Sequence, residues 1–211
     1  MNTKEKLKTV ISDMRADIQC DCFCKLAIKG GYELFFRDML YERLFYNYEE
    51  INTEVAYEIT IDNKSKSNYL DLAVGSKENL DFLIELGHNG TWQPAFNVIN
   101  HAINDINRSF EFQIQSKERY TISLLTHIES FKDNQKFRLR KSYLNGISRN
   151  VDKHDKKVDD VKRFLRVMDK DFHESIFKLE WNGFKVTIHV FLCGPFESTI
   201  SKEMVRNVDS H

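Results

Sequence analysis

The sequence predicts an α/β chain of the α+β kind: a central mixed sheet flanked by helices, a helical extension at the N-terminus and a β-hairpin near the C-terminus. Three observations predict it. Hydrophobic periodicity runs in the order helix, strand, strand, strand, helix, strand between residues 32 and 127. Turn chemistry at residues 75–79 separates two short apolar runs, which reads as an antiparallel hairpin. Asn182-Gly183, set between two further β-like runs at 176–181 and 184–192, is a type I′ turn signal and marks a second hairpin.

Each element follows from its residues. Over residues 3–28, Leu7, Val10, Ile11, Met14 and Ile18 recur at threes and fours, which predicts one helix, broken by Lys29-Gly30-Gly31. A second helix over 32–46 carries Leu34, Phe35, Leu40, Leu44 and Phe45 towards a core. Glu33 sits in its first turn, where the helix dipole alone favours a carboxylate, and Arg37 lies one turn on along the same face. Val55, Tyr57, Ile59 and Ile61 alternate with polar partners, a strand over 53–61 that leads into a polar turn at 62–66. Two strands then flank the first hairpin turn: Tyr69-Leu70-Asp71-Leu72-Ala73-Val74 and Phe82-Leu83-Ile84-Glu85-Leu86. Gly87-His88-Asn89-Gly90 reads as a loop. The helix after it, over 93–108, has Pro94 in its first turn and an apolar stripe of Ala95, Ile99, Ala102, Ile103 and Ile106. Its other face is polar: Asn97, Asn100, His101, Asn104 and Asp105. A strand at 120–127 closes the core, and a helix at 159–168 precedes the second hairpin. His189 in that hairpin reads as a packed or edge histidine, and the residues from 198 on as a short helix or frayed tail.

These elements divide one domain into an N-terminal helix (1–30), a core (31–127), a basic insertion (128–158) and a C-terminal helix and hairpin (159–211). The stretch 131–157 is the most basic of the chain. It holds Lys132, Lys136, Arg138, Arg140, Lys141, Arg149, Lys153, Lys156 and Lys157, interleaved with Phe131, Phe137 and Tyr143. A solvated insertion explains such a stretch, and so does contact with a phosphate backbone. Across the whole chain 31 Lys and Arg stand against 32 Asp and Glu, so net charge by itself lends no support to nucleic-acid binding. No apolar run approaches the ~20 residues that span a bilayer, and the N-terminus lacks a signal-peptide block, which predicts a cytoplasmic protein without a membrane partner. Cys20, Cys22 and Cys24 lack zinc-site spacing, and with Cys193 they read as reduced thiols. A Gly-rich dinucleotide turn, a P-loop, a nucleophile elbow and a zincin motif are all missing from the sequence.

The informative pair is Asp71 and Glu85. If Val74 faces Phe82 across the hairpin turn, the same register sets Asp71 opposite Glu85, with both side chains on one face about 5 Å apart. Two carboxylates so placed in a half-buried sheet repel each other and lose hydration, which raises the pKa of both. A hard divalent ion with oxygen ligands converts that cost into binding.

With these acids on consecutive strands after a helix that begins with Glu33, residues 31–126 resemble the PD-(D/E)XK (restriction-endonuclease-like) nuclease superfamily. The resemblance implies a restriction-endonuclease-like core and a metal-dependent endonuclease acting on nucleic-acid phosphodiesters. It implies Mg²⁺ or Mn²⁺ held by Asp71, Glu85 and the backbone carbonyl of Leu86, with Glu33 as a water-bridged fourth ligand. DNA or RNA would be met by the basic region 132–157. The family's company is restriction, repair and prokaryotic defence, and many members cut as homodimers. The departure is at Gly87, where the family's lysine stands. Arg37 on the Glu33 helix, His88 and His101 are the candidate substitutes. Two other readings stay open: a nuclease-like binding or interaction module without catalysis, and an unrelated α/β protein whose strands turn these acids to solvent.

Overall fold

Alternation along the central strands divides the apolar side chains between two cores, one on each face of a six-stranded mixed sheet. Phe82, Ile84 and Leu86 point into the first core, while Leu83 points into the second. The computed structural model describes residues 2–29, 31–48, 51–61, 64–76, 79–89, 95–111, 114–130, 154–181 and 183–201. In chain order the elements are α1 (Thr3–Asp13), α2 (Arg15–Ile18), α3 (Asp21–Lys29), α4 (Glu33–Phe45), β1 (Ile51–Ile61), β2 (Lys64–Ser76), β3 (Asn79–Asn89), α5 (Ala95–Glu111), β4 (Ser116–Ser130), α6 (His154–Met168), β5 (His173–Trp181) and β6 (Phe184–Cys193). The sheet order is β1-β2-β3-β4-β6-β5. The β3–β4 pair is parallel and the other pairs are antiparallel. Helices α1 to α4 supply the first core and α5 and α6 the second. The predicted fold class, with its helical extension and C-terminal hairpin, is the observed one.

The β2–β3 hairpin has the predicted register: Val74 pairs with Phe82 and Leu72 with Ile84. The register slips between Val74 and Gly75, where φ is +109° and a Cβ would stand 2.7 Å from the Asp81 amide nitrogen. Only glycine fits that bulge. The second hairpin closes with Trp181 paired to Phe184, and Gly183 takes the positive φ of +83° that its turn requires.

Several sequence-derived boundaries are corrected. The N-terminal helix is three segments. The apolar stripe through Leu7, Ile11, Met14 and Ile18 continues unbroken into the core, but the Asp17 N–H bonds the Met14 carbonyl in a tight i→i+3 turn. Cys20 Sγ then accepts the Phe23 N–H at 3.3 Å and starts α3 afresh. All four cysteines are thiols, with Cys24 and Cys193 buried.

Residues 87–89 are not a loop but the end of β3, paired in parallel with Ser123, Leu124 and Leu125. β4 is longer than predicted at both ends, β2 begins at Lys64 inside the expected turn, and α6 begins at His154, so Lys156 and Lys157 are helical. Residues 194–201 contain no helix. The predicted Pro94 helix start, residues 131–153 of the basic stretch and the tail beyond 201 lie outside the described residues. Among the described residues no helix is long and apolar enough to cross a membrane.

Arg119 fixes α5 against β4, and so sets one wall of the site. Its Nε donates to Ser109 Oγ at 3.0 Å, and Nη1 and Nη2 donate to the Ser116 and Ile114 carbonyls at 3.1 and 2.5 Å. Phe110 lies beneath the guanidinium at 4.1 Å.

Candidate functional site

Extending the hairpin register one step beyond Leu72–Ile84 brings Asp71 level with Glu85, and their side chains meet. The Asp71 N–H points at Glu85 Oε2 at 3.5 Å, and each carboxyl group bears on the pKa of the other. Asp71 Oδ2 accepts the Leu86 N–H at 2.7 Å, so one acid is oriented by the backbone of the strand that carries the other. Glu85 is only 4% exposed, which rules out the reading in which these strands turn both acids to water. Burial raises the pKa of both groups. For Glu85 the neighbouring Asp71 and Asp105 charges add to burial and push it well above its ordinary value. For Asp71 the Leu86 N–H, the Glu85 carboxyl group and Arg37 act against burial.

The acids open into a cavity of about 400 Å³, lined by Glu33, Tyr69, Asp71, Glu85, Leu86, Gly87, His88, His101, Asp105 and Arg108. The predicted Asp71, Glu85, Leu86, Glu33, His88 and His101 are thus brought together. Glu33 is committed, however: its carboxylate bonds His88 Nδ1, a contact made possible because residue 88 belongs to β3 rather than to a loop. The Tyr32 ring packs edge-on against the His88 ring at 5.9 Å, and Thr126 Oγ1 donates to the Tyr32 hydroxyl at 2.5 Å. These contacts fix the imidazole. Arg37 does not line the cavity. It is buried in α4, contacts Asp38 Oδ1 at 3.3 Å, and its charge acts to lower the Asp71 pKa.

Sequence reasoning missed Asp105 and Arg108 as site residues. His101, Asp105 and Arg108 stand at i, i+4 and i+7 of α5, one stripe of the helix, and that spacing was the available signal. Burial, opposed mainly by Arg108, brings the Asp105 pKa up to about 6. The acid is 3.2 Å from Arg108 Nη1.

Chemically, the centre can hold a proton between its two acids or a hard cation against their oxygens. Among the described residues no group of three or more His, Cys, Asp or Glu forms a finished metal cage. The donors at hand are two carboxylates and a backbone carbonyl, beside a space large enough for several waters. Mg²⁺ suits such a set, since it takes few protein ligands and keeps much of its water. Searches of family models, curated proteins and solved structures find no match.

Proposed function

We propose that the chain is a divalent-metal-dependent nuclease of the PD-(D/E)XK type, acting on nucleic-acid phosphodiesters in the cytoplasm. One observation carries the reading: a buried acid, Glu85, and a half-buried one, Asp71, from neighbouring strands meet at one cavity. The element order α4-β1-β2-β3-α5-β4, with β3 and β4 parallel, supports it by matching the family's core order.

Asp71, Glu85 and the Leu86 carbonyl are the groups that would hold Mg²⁺ or Mn²⁺. When bound, the ion supplies Lewis acidity and a water of lowered pKa. The chain does the rest. The Leu86 N–H keeps Asp71 in place, and burial of Glu85 keeps the acids in a dry wall where their field is strong. Glu33 orients His88 rather than reaching a metal through water, and His88 is the group best placed to carry a proton where Gly87 has no side chain to offer.

β4 runs parallel to β3 and continues beyond its end to Ser130. The basic segment 131–153 follows Ser130 in the sequence, and its charge favours it as the nucleic-acid contact.

The test is cleavage of labelled DNA and RNA with Mg²⁺ and with EDTA. Wild type cuts only with the ion, and Asp71→Ala does not cut while keeping its fold. Metal-independent cutting, or an active Asp71→Ala, would refute the assignment. Gly87 favours a second reading, a binding or interaction module that takes the metal without cleaving. In that case wild type is inert and Gly87→Lys gains Mg²⁺-dependent cleavage.

A further inference from the structure

We infer that Arg108 grips the phosphate of the substrate in the Asp71–Glu85 cavity, an inference that rests on the phosphodiester reading above. Glu33, Asp71, Glu85 and Asp105 all line this cavity. An entering phosphodiester meets four acids, and a metal ion held by two of them offsets that charge only in part. A fixed positive charge on the wall is therefore needed. Of the lining residues among those described, Arg108 is the one whose positive charge persists throughout the physiological pH range.

Its placement suits the task. Arg108 lies in the last turn of α5, on the stripe shared with His101 and Asp105 that faces the acids. Asp105 holds Nη1 at 3.2 Å and so aims the side chain. That contact engages one of the five donors of the guanidinium fork, whose planar geometry matches two phosphate oxygens. The side chain is 50% exposed and can be reached from solvent. The alternatives are placed worse. Arg37 is buried against Asp38 outside the cavity lining, His88 is engaged by Glu33, and Gly87 has nothing to contribute.

A merely structural Arg108, serving as an i,i+3 partner of Asp105, would leave nucleic-acid affinity untouched. Anisotropy of a short fluorescein-labelled DNA duplex, and of an RNA strand of the same sequence, reads that affinity across a salt series. Ca²⁺ serves as the hard ion. Wild type is expected to bind at least one of the two. Arg108→Gln should weaken that binding by about tenfold or more and lower the salt slope by about one. Arg108→Lys should recover part of the affinity. Lys117→Gln, exposed at the far end of β4 beside Asp81, should bind as wild type does. Melting curves with Mn²⁺ accompany each protein, and Arg108→Gln should keep the ion-induced rise. Unchanged affinity and salt slope in Arg108→Gln, with a wild type that responds to Mn²⁺, overturns the phosphate grip alone. A wild type that binds neither polymer also overturns it, and a wild type that does not respond to Mn²⁺ overturns the metal reading together with it.

Discussion

Beneath α6, Glu174 accepts from His189 Nδ1 at 2.8 Å and lies 2.7 Å from Lys162 Nζ, and Glu129 accepts from Thr187 Oγ1. Beneath α5, Glu85 faces another acid, Asp71, whose charge adds to burial in raising its pKa. Both places hold a cavity, and the one under α6, lined by Glu129, Lys162, Thr187 and His189 though not by Glu174, is the larger, about 600 Å³ against about 400 Å³. Size does not distinguish a site here. In the α6 cluster each of these two acids meets a donor, which ties β4, β5 and β6 to one another and to the helix. Asp71 and Glu85 instead face each other, and when both are ionised their repulsion costs stability. The contrast teaches that unmatched buried charge, rather than buried polarity as such, marks the place where a ligand belongs.

The largest expected effect is on cleavage. Glu85→Ala lowers Mg²⁺-dependent cutting of labelled DNA or RNA by at least about a hundredfold, as loss of a direct metal ligand should. Glu174→Ala leaves each folded molecule as active as wild type. Equal losses in the two variants would erase the distinction between the clusters.

Stability in EDTA at neutral pH should move in opposite directions. Glu174→Ala removes the carboxylate that His189 and Lys162 meet and costs about 1–3 kcal/mol, a drop of roughly 2–4 °C in Tm for each kcal/mol. Glu85→Gln removes the repulsion and raises Tm by a few degrees. A fall in Tm for Glu85→Gln would mean that the carboxylate is matched after all.

A smaller effect separates the clusters by pH. Folding raises the pKa of Glu85 well above 4.5 and that of Asp105 from 3.8 to about 6, in both cases through burial first. The folded state therefore binds these protons more tightly than the unfolded chain. Their stabilisation is complete below the unfolded values and is lost as pH rises through the folded ones. Their contribution to the stability of the metal-free wild type should fall between about pH 4 and pH 7, and Glu85→Gln should lessen that fall relative to wild type. Urea melts at several pH values in EDTA measure it. A wild-type stability that rises over this window from these groups would contradict the shifts.

Much of this was readable in the residues before any coordinates. The turn at 75–79 implies the Val74–Phe82 register, and two-residue alternation carries that register to Asp71 and Glu85. Local signals failed where distant partners decide. Gly87, His88 and Asn89 have loop chemistry, yet parallel pairing with β4, some forty residues away in sequence, keeps them in a strand. That one misjudged segment concealed the Glu33–His88 contact, since a loop histidine has no defined facing. The stripe of His101, Asp105 and Arg108 was visible as a polar helix face, but a polar face normally meets solvent. Only the packing of α5, fixed by Arg119, turns this one towards the acids. Met14 keeps its place in the apolar stripe while the backbone turns around it, a break that periodicity alone does not register.

The central claim is that Asp71 and Glu85 form a seat for a cation, and titration with Mn²⁺ against thermal stability tests it most directly. At a concentration about a hundredfold above Kd, binding adds about 2.7 kcal/mol, a Tm rise of roughly 5–10 °C. Wild type should show that rise, and Glu85→Gln, already more stable without metal, should show almost none. A wild-type Tm indifferent to Mn²⁺, or a Glu85→Gln protein that gains as much as wild type, would contradict the account.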